Sequence, residues 1–218
     1  MTTLPGPTES PNLRRDAARN RGAVLLAARR VFAEQGLDVA MAEIARQAGV
    51  GIATLFRHFP TRDDLITAVF DEKMAAYLDA VKTALRDPDP WHGFCGFVEQ
   101  VCAMQCQDRG FNHVLTMTFP NACAFEATRS AAYRGFKTLI SKAKSTGRLR
   151  NDFRHQDLVV FLMANAGVVS STYELAPVAS ARLVSYLIAA CDTTHHHTLA
   201  PAPNANAVQE AMRRNISH

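Results

Sequence analysis

Between Gly36 and Thr61 the chain has room for two short helices and a turn, and no more. That segment, AMAEIARQAGVGIATLFRHF, constrains the fold more than any other. Ile44, Val50, Ile52 and Leu55 supply apolar contacts that lock two crossing helices together. Ala45 stands where the second helix passes closest, and Gly49 offers the positive φ that the turn requires. The spacing Ala45, Gly49, Leu55 is the one a helix-turn-helix needs, although A-x-x-x-G alone occurs in many helices. A second helix over 51–57 presents Gly51, Ala53 and Thr54 to a major groove, with Arg57, His58 and Arg62 within reach of flanking phosphates.

The rest of the chain also reads as helices. Residues 1–12, rich in proline, suit a disordered arm. From Leu13 to Gln35, Val24, Ala27 and Val31 with Leu25, Ala28 and Phe32 form an apolar stripe, which Gly36 ends. Thr61-x-x-Asp64 matches a capping box that opens a long helix to Leu85, and the DPDP at 87–90 stops it. Asp89-Pro90 starts a helix to Gln107, closed by Gly110. Further helices follow over 112–118, 122–146 (ending at Gly147), 155–174 and 179–191, the last two parted by Ala176-Pro177. No period-2 alternation and no internal repeat is present, so strands are not expected.

Charge is distributed unevenly. Residues 1–62 hold nine arginines against five carboxylates, and residues 63–218 balance at 15 of each sign. The whole formal excess of +4 therefore sits at one end, which suggests a polyanionic partner there. An arginine-rich solvated surface is the plainer alternative. Five cysteines without a CxxC pair argue against a disulfide framework or a zinc ribbon. With no apolar run long enough to span a bilayer and no secretory leader, the expected compartment is the cytoplasm.

Residues 41–65 resemble the TetR family of transcriptional regulators. AGVGIATLFRHFPTR nearly matches the variant AGVGxGTLYRHFPTR, and the likeness extends over residues 15–72. A weaker likeness, GRLRNDF…DLVVFL at 147–162, is to the regulatory domains of actinobacterial-type members. The resemblance implies an all-α fold: a three-helix DNA-binding domain over 13–62, then a helical ligand-binding and dimerisation domain over 63–193, with 194–218 as a tail. It also implies double-stranded operator DNA, a small-molecule effector and a second copy of the chain as partners, with no membrane, cofactor or metal. Carried over by position, the DNA-contacting set is Arg14, Arg15, Gly51, Ile52, Ala53, Thr54, Phe56, Arg57, His58 and Arg62. Phe56 replaces the family's tyrosine, Ala53 its glycine and Arg62 its lysine. Ala40 replaces the usual Ser/Thr cap, leaving Asp38 or water to cap that helix.

In the second domain an aromatic- and Met-rich interior suits an apolar pocket, and suits an ordinary core as well. The candidate ligand contacts are Phe97, Met104, His113, Met117, Phe125, Glu126, Phe161 and Asn165. Asn165 interrupts the apolar run FLMANAGVV, where an unpaired amide is costly. Ala164, Gly167 and Ser171 on one helix, with Leu183, Tyr186, Leu187 and Ala190 on the next, form the candidate dimer seam. Cys95, Cys102 and Cys106 share one helix face, and His195, His196 and His197 lie on the tail. They keep open a rival reading: a helical ligand-binding or cysteine redox-sensing protein with weak or lost DNA binding. No nucleophile elbow, phosphate-binding glycine loop or HExxH motif points to an enzyme. The expected function is a repressor released from a palindromic operator by its ligand.

Overall fold

A computed structural model describes residues 11–116, 122–172 and 178–194. Among them are nine α-helices: α1 Pro11–Gln35, α2 Met41–Ala48, α3 Ile52–His58, α4 Arg62–Arg86, α5 Pro90–Gln107, α6 Arg109–Thr116, α7 Cys123–Ser145, α8 His155–Thr172 and α9 Ala179–Cys191. The only β-type pairing among these residues is an isolated bridge between Leu149 and Asp192. The fold is all-α, as the pattern of apolar residues requires.

Local chemistry sets the boundaries. Gly36, Gly49 and Gly147 each take a left-handed φ just past a helix end, a conformation side chains with a Cβ resist. At the start of α4 the Thr61 hydroxyl accepts from the Asp64 N–H while the Asp64 carboxylate accepts from the Thr61 N–H, completing the capping box. Asp89 caps α5 by accepting from the N–H groups of Trp91 and His92. Asp38 does not cap α2: no side chain bonds at its N-cap, Ala40. Gly110 also departs from expectation. α5 already ends at Asp108, and Gly110 lies inside α6, where a Cβ would come within 2.9 Å of the Phe70 ring.

α1, α2 and α3 form a small head, and α4 leads out of it to pack along α5 and α7. α6 bridges α1 and α8, while α8 and α9 pack on each other and on α5. The apolar core is continuous from Val24 to Cys191, so residue 62 is no break in packing. Its joint is an aromatic file: Phe32 of α1 stacks on Phe70 of α4 at 6.2 Å, and Phe70 meets Phe111 of α6 at 6.1 Å. All three rings are fully buried. A second cluster fills the body, where Phe97 packs between Tyr77 at 5.8 Å and Phe136 at 5.0 Å, and Phe153 abuts Phe94 and Phe161.

The α4–α5 corner is held by an exposed ion pair, His92 Nδ1 to Asp87 at 2.7 Å. The bond to Asp87 raises the His92 pKa, and its counterpart lowers that of Asp87. A raised histidine value means the contribution is complete below the unfolded pKa of about 6.5 and fades as pH rises through the folded one. A lowered aspartate value means it also fades as pH falls through the folded carboxylate pKa. An NMR titration of His92 is expected to show a midpoint above about 6.5, which Asp87→Asn returns toward that value.

Candidate nucleic-acid interface

The reading head is assembled around the α2–α3 turn. Val50 N–H bonds to Ala45 O at 3.1 Å and Gly49 N–H to Arg46 O at 3.2 Å, the paired bonds of a Schellman ending. Ile44, Ala45, Leu55 and Phe59 are buried beneath it and fix the crossing of α2 and α3. The outer surface of α3 then carries Ile52, Ala53, Phe56 and Arg57, all exposed, with Gly51 just before them and Thr54 half-buried. Arg15 is exposed on α1. Arg14 lies in the first turn of α1, and its side chain is outside the described set.

Two members of the expected set are placed differently. His58 is half-buried against Phe59, with ring centroids 6.4 Å apart, and its Nε2 is buried without a hydrogen-bond partner. The side chain wedges the base of α3, so that nitrogen does not face a phosphate. Arg62 turns back to the head, donating to Leu37 O at 3.4 Å and pairing with Asp38 at 3.6 Å. This also explains why Asp38 leaves α2 uncapped. Arg21, expected on a basic lead-in, instead covers the Phe59 ring, its guanidinium carbon 5.3 Å from the centroid.

Other arginines on the head are similarly committed. Arg30 donates to Gln47, and Arg46 makes a two-point bond to Glu43 at 2.6 and 2.8 Å. That bond, with a further one from Gln47, holds the Glu43 carboxyl down to about 2. Arg29 reaches across to Val69 O at 3.1 Å and ties α1 to α4. Formal charge alone therefore overstates the cations turned outward.

In the body, Phe97, Met104 and Phe125 are buried and Phe161 is half-buried. His113 lies on the exposed side of α6, contrary to a place inside a pocket. Met117 lies outside the described residues, as do Asn121 and His195–His197. Glu126 pairs with Arg129 at 2.7 Å, both side chains about one-fifth exposed. Burial pushes the nearby Tyr77 hydroxyl up to about 12, with the Arg129 charge opposing it. Sequence reasoning missed Tyr77 and Arg129. The i, i+3 spacing of Glu126 and Arg129 was the available signal, but it is also common on solvated helix faces.

Asn165 is fully buried and belongs to a polar knot joining three helices. Its Nδ2 donates to Gln105 Oε1 at 2.9 Å and to Cys102 O at 3.3 Å, its Oδ1 accepts from the Ser180 hydroxyl at 2.7 Å, and Gln105 Nε2 donates to Leu162 O at 3.1 Å. Every strong partner of the amide is a protein group, so the expected ligand contact is a structural clamp. The cysteines are similarly structural in character. Burial pushes the thiols of Cys95, Cys102 and Cys191 up to about 12, far from thiolate at neutral pH. Among the described residues, no group of three or more His, Cys, Asp or Glu is placed to hold a metal ion.

The expected seam residues lie mostly on the outside. Ala164, Gly167 and Ser171 are exposed on α8 beside Val160 at 45% exposure; Tyr186 is 59% exposed on α9 with Ala190, while Leu183 and Leu187 are half-buried. No helix among the described residues is long and apolar enough to cross a membrane.

A glycine-locked α2–α3 pair with an outward α3 on a helical body defines a helix-turn-helix protein. Residues 24–69 match the family described as bacterial regulatory proteins, tetR family. A helix-turn-helix-type transcriptional regulator of Staphylococcus aureus (strain bovine RF122 / ET3-1) is 32% identical over 71 residues, which cover 32% of this chain and 38% of that protein. The chain thus spans well under half the length of the curated relatives it matches. Among solved structures, the transcriptional regulator FadR from Bacillus subtilis, in complex with stearoyl-CoA, has a TM-score of 0.58 at 15% identity, covering 80% of this chain and 99% of that one. A regulatory protein of the tetR family from Rhodococcus RHA1 has a TM-score of 0.55 at 21% identity, covering 80% and 96%. These two likenesses concern the fold. The chain belongs to the TetR family.

Removing the clamp has a defined cost. Asn165→Ala strands the Gln105 and Ser180 side chains in the core, and a loss of about 1–3 kcal/mol is expected in chemical denaturation. Unchanged stability would show that the amide is not a structural element.

Proposed function

We propose that the protein is a homodimeric, DNA-binding transcriptional regulator that represses from a palindromic operator in the cytoplasm and leaves it when a small molecule binds the helical body. The observation that carries the reading is the outward surface of α3. It is rigidly seated by the Gly49 turn, and it sits in the part of the chain that holds the entire excess of positive charge. Two such helices related by a two-fold axis fit successive major grooves when about 34–36 Å apart. The small-residue face of α8 and α9 supports that symmetry, because Ala164, Gly167 and Ser171 allow close approach of a second copy.

Coupling runs through α4 and α6 in this reading. Phe70 is gripped by Phe32 on the head and Phe111 on α6, and Gly110 lets α6 approach it closely. A ligand that favours another position of α6 moves the head with it, and a differential affinity of a few kcal/mol is enough to shift the population. We place the effector beside Tyr77 and the Glu126–Arg129 pair, the polar cluster bordering the aromatic interior, with Phe97, Phe125 and Met104 as apolar neighbours. The protonated, buried thiols give the redox-sensing alternative no support.

The test is fluorescence anisotropy of the full chain on duplexes selected from a randomised pool, across a salt series. Tight binding should weaken with a slope of about −0.9 per neutralised phosphate, and Arg57→Ala should remove about one such unit. Gly167→Arg should convert a dimer to a monomer by light scattering and abolish tight binding. Selection that enriches no duplex, with the dimer intact, contradicts the DNA-binding claim.

A further inference from the structure

We propose that α3 reads methyl groups: Ile52 and Phe56, with the Ala53 methyl beside them, form an apolar ridge that seats on the C5-methyl of thymine, and on that of 5-methylcytosine in the same place. The inference rests on the DNA-binding function proposed above and specifies its chemistry.

Ile52 is 42% exposed and Phe56 44% exposed. Four residues apart on a helix, they project from one face a single turn from each other. Their exposure is not fraying, because Leu55 and Phe59 of the same turn are fully buried and the Schellman bonds hold the entry to α3. One exposed aliphatic side chain is ordinary on any surface. Two large ones on a seven-residue helix, with an exposed alanine between them, form a contiguous patch.

The partner follows from the chemistry of the groove. Hydrogen-bonded readout uses Arg or Lys on guanine, Asn or Gln on adenine, and Asp or Glu on cytosine. None of these types stands at 52, 53 or 56. The apolar group on a major-groove edge is the thymine methyl, and 5-methylcytosine presents a methyl at the equivalent carbon. Charge complementarity selects DNA over a second copy of the head as the occupant. Arg57 flanks the ridge and Arg15 is exposed on the same positively charged head, so two heads repel while a phosphate backbone is attracted.

The experiment uses the full chain and a tightly bound duplex from the randomised selection. Each thymine is replaced singly by deoxyuridine, which removes the methyl and keeps every hydrogen-bonding group. Affinity should fall about fourfold at one or two positions in each half-site, the equivalent of one buried methyl. At such a position 5-methylcytosine should bind more tightly than cytosine. Phe56→Ser or Ile52→Ser should erase the thymine–uracil difference at one of these positions without changing Tm, since both side chains are outside the core. If uracil binds as well as thymine everywhere on a tightly bound duplex, the methyl-reading inference is overturned and DNA binding stands. If no duplex is enriched, both fall.

Discussion

Phe70 lies between two parts of the molecule that sequence patterns describe separately. Its ring is stacked on Phe32 of the head and packed on Phe111 of α6, and all three are removed from water. Close-packed interiors resist gradual deformation, so a displacement of α6 must either repack this file or carry α4 and the head with it. The head's stability and its orientation therefore depend on the same contact. Arg29 adds a polar tie from α1 to Val69 O beside it. Gly110 completes the joint, because a Cβ there would collide with the Phe70 ring.

At the far end, the α8–α9 pair is held in register from within, leaving its outer face free of that task. Asn165 connects to Gln105 and Cys102 of α5 and to Ser180 of α9. The 147–150 loop grips the end of α9: Arg148 bonds Asp192 at 2.7 Å and lies over the Trp91 ring, while Arg150 donates to Ala190 O. Unpaired polar groups in a core are costly, so this knot favours one alignment of the three helices over slipped ones. A fixed alignment is what the proposed two-fold seam requires, since helix-to-helix matching across an axis fails if either helix slides.

Much of this was legible in the sequence because it is local. The glycines that end α1, α2 and α7, the Thr61–Asp64 capping box and the Asp89 cap depend on neighbours within a few residues, and each appears where the sequence puts it. What was not legible depends on elements distant in the chain. Arg62 resembles a free phosphate ligand until Leu37 O and Asp38 arrive beside it from the α1–α2 loop. His58 has the sequence position of a surface contact, yet its Nε2 is buried. Gly110 reads as a stop from its neighbours and acts as a point of close approach to Phe70. Asn165 could be recognised as an anomaly in an apolar run, but not its partners, which lie some 60 residues earlier on α5 and 15 later on α9.

Hydroxyl-radical footprinting of the full chain on a selected duplex tests the central claim most directly. A two-fold pair of reading heads protects two backbone patches, symmetric about one centre and separated by one helical turn or a larger separation that keeps them on one face of the duplex. A single patch, or protection spread evenly along the duplex, would contradict the account of a symmetric dimer reading DNA with α3.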